Sequence, residues 1–282
     1  MRKVALFADG SCDLPREVLD EYRVQLVYGG IELEGEFYTD NVTITPQELF
    51  LAYRERKVLP KTSATNTEIY LEAFAPWLDD GYEIVLISLS SGISACHQNA
   101  LSAAQEREGI YVVDSKNLST GVGHLVIEAG ELIRQGLSAA EVARKVYLMT
   151  SKVRASFVLD TLEYMRAGGR CSAIAAFGAN LLGLKPRIEV DGEGKLQATK
   201  KYRGAMTRVL PEYVKDQLTG YENIRTDKIF ITYSTKIPEY FDLVLSEVKK
   251  LGDFDIIYES SASCTISSHC GPGTIGVLFM TE

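Results

Sequence analysis

One segment limits the possible folds more than any other. A dense apolar run, Ile84-Val85-Leu86-Ile87, leads into Leu89-Ser90-Ser91-Gly92-Ile93-Ser94-Ala95-Cys96-His97, and a helical pattern follows over residues 94–107. A short apolar run bounded by turn residues fits a strand buried on both faces, and such strands belong to parallel sheets covered by helices. The turn gathers side-chain hydroxyls and free backbone N–H groups at a helix N-terminus, where an anionic group is favoured.

The alternation extends through the first half. Strands are expected at residues 3–8, 24–28, 83–88 and 110–113, with a small hairpin over 31–38 turning at Glu34-Gly35. Helices are expected at 15–22, with Asp13 capping its start, and at 45–56, 65–78, 94–107, 121–135 and 138–151. Thr45-Pro46-Gln47-Glu48, Thr65-Asn66-Thr67-Glu68 and Ser138-Ala139-Ala140-Glu141 read as capping boxes that open three of these helices. Strands separated by helices of this length make βαβ units and a mostly parallel sheet.

The second half has another texture. A strand at 154–160 precedes a short helix and the breaker Gly168-Gly169-Arg170. Runs at 186–190 and 196–201 flank Asp191-Gly192-Glu193-Gly194 as an antiparallel hairpin. A helix after Gly204 must kink or restart at Pro211, and strand-like runs at 228–233, 254–259 and 274–280 surround a helix at 238–250. The expected fold class is α/β with two domains sharing a cleft. Residues 1–152 form a mostly parallel sheet flanked by helices, and residues 153–282 a mixed-sheet α+β unit.

A net charge of −8 over 282 residues argues against a nucleic-acid partner. The apolar run at the N-terminus is too short for a secretory signal, and no stretch approaches the roughly 20 residues of a membrane span. A cytoplasmic protein without stable membrane insertion is expected. Five cysteines with no CxxC pair, and three histidines outside any HExxH spacing, argue against a disulfide framework and against a metal site.

Several polar segments are candidates for chemistry. Asp9-Gly10-Ser11-Cys12-Asp13 follows the first strand, where open α/β sheets bind ligands. Lys61-Thr62-Ser63-Ala64-Thr65 offers hydroxyls between two helices, and Asp114-Ser115 ends another strand. Gly92 to Cys96 half-matches a nucleophile elbow with Ser94 as the serine, although Cys96 replaces the final glycine. A serine hydrolase using Ser94, with His97 or His269 as base, is therefore the alternative reading. Arg170 and the cluster Lys200-Lys201-Tyr202-Arg203 suit phosphate or an acidic patch. His269 opens a rigid turn, His269-Cys270-Gly271-Pro272-Gly273, before the last strand and can donate to an anion. Taken singly, each also has an ordinary structural reading as a helix cap, a solvated charge or a close-packed turn.

Their order is more specific than any one of them. Asp9 with Asp13-Leu14-Pro15, Thr62-Ser63, Ser90-Ser91-Gly92-Ile93-Ser94, Asp114-Ser115, Thr161-Leu162-Glu163-Tyr164 with Gly168-Gly169-Arg170, Lys185-Pro186, and His269 with Gly271-Pro272-Gly273 strongly resemble the DegV family along the whole chain. These are the fatty-acid-binding subunits of bacterial fatty acid kinase systems. The resemblance implies two α/β domains with a long-chain fatty acid between them. It puts the carboxylate on the hydroxyls of Thr62 and Ser94, with His269 and Arg203 near the head group. Arg170 would lie on the surface offered to a separate kinase subunit that supplies ATP and magnesium. The same resemblance implies a noncatalytic carrier with no cofactor of its own, whose cargo becomes an acyl phosphate for phospholipid synthesis. The chain departs from the family pattern at Gly10, Ala95-Cys96 and His97, where serine, glycine-threonine and tyrosine are common.

Overall fold

The computed structural model describes residues 3–169 and 183–282. Strand β1 (Lys3–Asp9) lies between β2 (Gln25–Val27) and β6 (Tyr82–Ser88), and β7 (Ile110–Asp114) completes a four-stranded sheet of order β2-β1-β6-β7 with every pair parallel. Helix α1 (Arg16–Glu21) leads from β1 to β2, and α4 (Cys96–Glu106) from β6 to β7. The chain thus leaves β1 and β6 in opposite directions. A crevice opens at their carboxyl ends, the usual ligand position in such sheets.

Between β2 and β6 the chain builds a three-stranded antiparallel sheet, order β4-β3-β5, from β3 (Gly30–Leu33), β4 (Glu36–Thr39) and β5 (Lys61–Ser63). Helices α2 (Pro46–Arg56) and α3 (Thr67–Asp79) accompany it. After α5 (Thr120–Arg134) and α6 (Ala139–Met149) comes a mixed six-stranded sheet of order β10-β9-β8-β13-β11-β12. Its strands are β8 (Val153–Val158), β9 (Leu184–Val190), β10 (Leu196–Arg203), β11 (Lys228–Tyr233), β12 (Ile256–Ser261) and β13 (Ile275–Met280). Helices α7 (Glu163–Ala167), α8 (Met206–Thr219), α9 (Pro238–Leu251) and α10 (Cys264–Cys270) complete the described elements. None of them is long and apolar enough to cross a membrane.

Period-2 alternation assigns each strand two partners. On β1, Ala5 and Phe7 pack with Tyr70 and Phe74 of α3 and Ala100 of α4, whereas Leu6 and Ala8 pack with α5. On β13, Ile275, Val277 and Phe279 join the core beside α8 and α9, and Leu278 and Met280 join the core containing α5. Helix α5 is therefore the middle of five layers. Eleven of its 15 residues are buried, as expected of a helix covered on nearly all sides. Leu125 of α5 is fully buried in a core that includes Leu6 and Val85 from one sheet and Ala155 and Leu278 from the other. Leu125→Ala should cost about 2–5 kcal/mol by opening a cavity there. Because both halves share this core, calorimetry should show one unfolding transition that moves down as a unit. Two separate transitions would mean that the halves hold independent cores.

His124, also on α5, is fully buried with Nε2 3.0 Å from the Leu278 carbonyl oxygen, and its Nδ1 has no hydrogen-bond partner. Burial pushes its pKa from 6.5 down to about 4. The folded state thus binds this proton less readily than the unfolded state. The resulting stability is present above about 6.5 and is lost as pH falls towards 4. His124→Gln keeps a donor for Leu278 and does not titrate. Its stability relative to the parent should rise by up to roughly 3 kcal/mol across that window, read from urea unfolding at successive pH values.

Several local expectations change. Asn66, not Thr65, caps α3, accepting from the Ile69 amide at 2.9 Å, whereas the boxes at Thr45 and Ser138 are both present. Helix α4 starts at Cys96 rather than at residue 94. Pro211 lies within α8, which runs on without a restart. Lys61-Thr62-Ser63 is a strand, and His269 belongs to a helix rather than to the turn that follows. Asp13 does not cap α1: its backbone is left-handed (φ 53°), and its side chain is bonded elsewhere.

Candidate functional site

Three buried carboxylates organise the crevice. Asp9 ends β1 and accepts from the Tyr70 hydroxyl at 2.5 Å and from the Leu89 amide at 2.6 Å, fixing the turn after β6 to the end of β1. Burial raises its pKa to about 6, against the opposing effect of those two bonds. Asp13 accepts from the Ser119 hydroxyl at 2.5 Å and from the Ser263 amide at 2.9 Å, tying both halves of the chain together. Burial raises it to about 7. Its sign is opposite to that of His124: the stability tied to this group is complete below 3.8 and lost as pH rises through about 7. Asp40 accepts from the amides of Cys264 at 2.8 Å and Thr265 at 3.0 Å, and burial raises its pKa.

These bonds hold α10 by its N-terminus. Ser263 is the N-cap and its hydroxyl accepts from the Ile266 amide, so the first four amides from Ser263 to Ile266 all have acceptors. The last turn of α10 brings the His269 Nε2 to 2.9 Å from Thr62 Oγ1. Thr62 itself is fixed by β5, where it pairs with Ile31 of β3.

On the opposite wall, the hydroxyl turn divides its work. Ser90 donates to the Gly194 carbonyl at 2.8 Å, so the tip of the β9–β10 hairpin docks on the turn. The absence of a side chain at Gly92 makes this possible, since a Cβ there would sit 2.7 Å from the Gly194 oxygen. Ser91 donates to Asp114 at 2.6 Å, and Ser88 lies 2.9 Å from His97 Nδ1. Ser94 donates to the Cys96 sulfur at 3.1 Å and accepts from the Cys96 amide at 3.2 Å. Among the described residues, then, neither His97 nor His269 meets Ser94: one meets Ser88, the other Thr62.

Between these walls lies a cavity of about 280 Å³, close to the lower end of the range for small-molecule sites. Thr62, Ser94 and His269 all line it, together with Asp9, Asp40 and Cys96. Leu89, Leu118, Phe157, Met165, Leu196 and Ile266 give it apolar surface drawn from both halves. A smaller void of about 30 Å³ lies behind Leu118, Phe157, Ile266 and Cys270, which border both spaces. No lysine or arginine is among the described residues of the main lining. Arg203, the last residue of β10, is exposed and stands outside that lining. Arg170 lies outside the described residues. The departure at Gly10 has a local explanation: the Tyr28 ring fills the space, leaving 2.4 Å for any added Cβ.

A sequence model described as "Uncharacterised protein, DegV family" matches residues 3–282. The chain belongs to the DegV family. A DegV domain-containing protein of Clostridium acetobutylicum is 28% identical over 292 residues, covering 100% of both chains. The DegV fold is shared with a family member from Thermus thermophilus whose structure is described by its fatty acid binding, at a TM-score of 0.89, 28% identity and full coverage of both chains. A fatty acid binding DegV family protein from Streptococcus agalactiae superposes with a TM-score of 0.83 at 26% identity, again over 100% of each. DegV proteins of known structure thus include fatty-acid binders.

Sequence reasoning missed Asp40 and Tyr70. Asp40 sits in Thr39-Asp40-Asn41, which reads as an ordinary turn, and Tyr70 reads as core. A buried acceptor of this kind leaves no periodic signal, because its partners are amides more than 200 residues away in sequence.

Proposed function

We propose that this chain binds one long-chain fatty acid in the cavity between its two halves, as a carrier rather than an enzyme. The observation that carries the reading is the cavity itself: an apolar wall that includes Leu89, Leu118, Phe157, Met165, Leu196 and Ile266, with Thr62, Ser94 and His269 among its polar members. The fatty acid binding described for the relatives from Thermus thermophilus and Streptococcus agalactiae supports it. Each buried methylene contributes about 0.8 kcal/mol, so a tail of some 16 carbons gains roughly 12 kcal/mol before ordering costs. The tail supplies affinity, and the hydroxyls fix the orientation of the carboxylate. Among the described residues, His97 meets Ser88 and His269 meets Thr62 rather than Ser94, which disfavours the hydrolase alternative. The test is solvent extraction of protein purified without detergent, followed by mass spectrometry. About one fatty acid per chain is expected; protein without lipid that also fails to bind added acid would refute the reading.

The family resemblance extends the proposal to a kinase subunit that phosphorylates the bound acid, with Arg170 on the docking surface and Arg203 near the head group. Arg170→Ala should retain the lipid and slow acyl phosphate formation by that kinase at least tenfold. Unchanged turnover would remove Arg170 from the docking role.

A further inference from the structure

The outer face of α6 departs from the rest of the surface. In a chain of net charge −8, residues 142–154 carry four cations, Arg144, Lys145, Lys152 and Arg154, and no aspartate or glutamate. Many cations elsewhere sit beside carboxylates, as Arg16 does with Asp20, Arg107 with Asp79 and Lys236 with Glu259. Among the described residues, none of these four is in an ion pair.

Helical spacing gives the segment its two faces. Val142 and Val146 are buried in the core that α5 shares. Arg144, Tyr147 and Leu148 lie three and four residues apart and so share the outward face, with Lys145 beside them. Arg144, Lys145 and Lys152 are exposed, and so are Tyr147 at 52% and Leu148 at 60%. A lone exposed leucine needs no explanation. Beside an exposed tyrosine and among unpaired cations, it does.

The neighbouring carboxylates do not neutralise this face. Glu141 feels the charges of Arg144 and Lys145, but it is held by the Ser138 cap. On α5, Glu128 is paired with Arg225 and Lys228, and Glu131 is engaged by Tyr22 and Arg134. Glu282 follows Thr281, whose amide donates to the Lys152 carbonyl. With Glu141 and Glu282 both counted in full, four cations against two acids still leave two positive charges in excess. A second copy is a poor occupant, because a two-fold contact would set Arg144 and Lys145 against their own copies. The face suits a partner that is anionic and apolar at once. A bilayer with anionic lipids has that chemistry: phosphates meet the cations, tyrosine sits at headgroup level, and leucine reaches the acyl boundary.

We propose that the outer face of α6 is a peripheral docking surface for anionic lipid bilayers, with Arg144, Lys145 and Lys152 on the phosphates and Tyr147 and Leu148 in the headgroup layer. The contact is a surface one: no described helix is long and apolar enough to cross. It is reversible and weakens with ionic strength. Under the fatty-acid reading above, it brings the carrier to the phase in which a long-chain acid dissolves, since each methylene favours an apolar medium.

Cosedimentation with extruded vesicles tests the surface. The parent should partition onto equimolar phosphatidylglycerol and phosphatidylcholine about a hundredfold more strongly than onto phosphatidylcholine alone, at about a factor of five per cation. High salt should remove that difference. Arg144→Gln with Lys145→Gln should weaken binding to the anionic vesicles about thirtyfold. Tyr147→Ala with Leu148→Ala should weaken it about tenfold and leave it sensitive to salt. All four side chains are exposed, so circular dichroism of both variants should match the parent. Equal binding to neutral and anionic vesicles, or undiminished binding by the Arg144→Gln, Lys145→Gln variant, would overturn the proposal. So would a parent dimer, seen by sedimentation without vesicles, that Tyr147→Ala with Leu148→Ala dissolves, because the face would then belong to a second copy. Salt-sensitive vesicle binding by a chain that takes up no fatty acid would support the docking surface and remove the carrier reading.

Discussion

Replacing Thr62 and Ser94 together by alanine should strip the cavity of lipid while the chain stays folded. Hydrogen bonds to a charged acceptor are worth roughly 1.5–3 kcal/mol each, so losing two weakens binding by about 3–6 kcal/mol, or some hundred- to ten-thousand-fold. The fold should tolerate the change. Thr62 is held in β5 by backbone pairing, and both side chains are only half-buried. Ser94 contributes a single amide contact at the start of α4, a modest loss. Extraction and mass spectrometry on the double variant, with circular dichroism as the check on folding, give the answer. Full retention of lipid by a folded double variant would mean that the carboxylate lies elsewhere.

Asp40→Ala should measurably destabilise the fold by loosening the start of α10. Asp40 is 1% exposed and accepts from two amides at the start of α10. Removing it leaves the Thr265 amide buried without an acceptor, while the Cys264 amide keeps Asn41 Oδ1 at 3.2 Å, so a loss of about 1–3 kcal/mol is expected in urea unfolding. Asp40→Asn keeps one acceptor oxygen and should lose about half as much. Because α10 carries His269 to Thr62, the alanine variant should also bind fatty acid more weakly than its stability alone accounts for. A loss below about 1 kcal/mol would show that α10 is held in some other way.

Much of the fold can be read in the sequence because its signals are local. The apolar runs of β1 and β6, the capping boxes at Thr45 and Ser138, and the Glu34-Gly35 hairpin all declare themselves within a few residues. Short elements do not. The three-residue strand β5 is too brief to show alternation, and the seven-residue α10, Cys-Thr-Ile-Ser-Ser-His-Cys, has no charged face to set against an apolar one. Those two elements carry Thr62 and His269, so their 2.9 Å approach is invisible in one dimension. The hydroxyl turn was conspicuous as a group, yet its serines diverge in role. Ser90 grips a hairpin 104 residues away, Ser91 meets Asp114, and Ser94 alone of the three borders the cavity. Asp9 and Asp13 stood out by their place after the first strand, but their partners, Leu89 and Ser263, come from distant chain and follow only from the assembled layers.

The central claim is tested most directly by a crystal structure of the chain grown with hexadecanoic acid. The account predicts carboxylate oxygens within hydrogen-bond reach of Thr62 Oγ1 and Ser94 Oγ and a tail lying among Leu118, Phe157 and Ile266. A cavity closed by the protein's own side chains, with the acid absent or bound only at the surface, would contradict it.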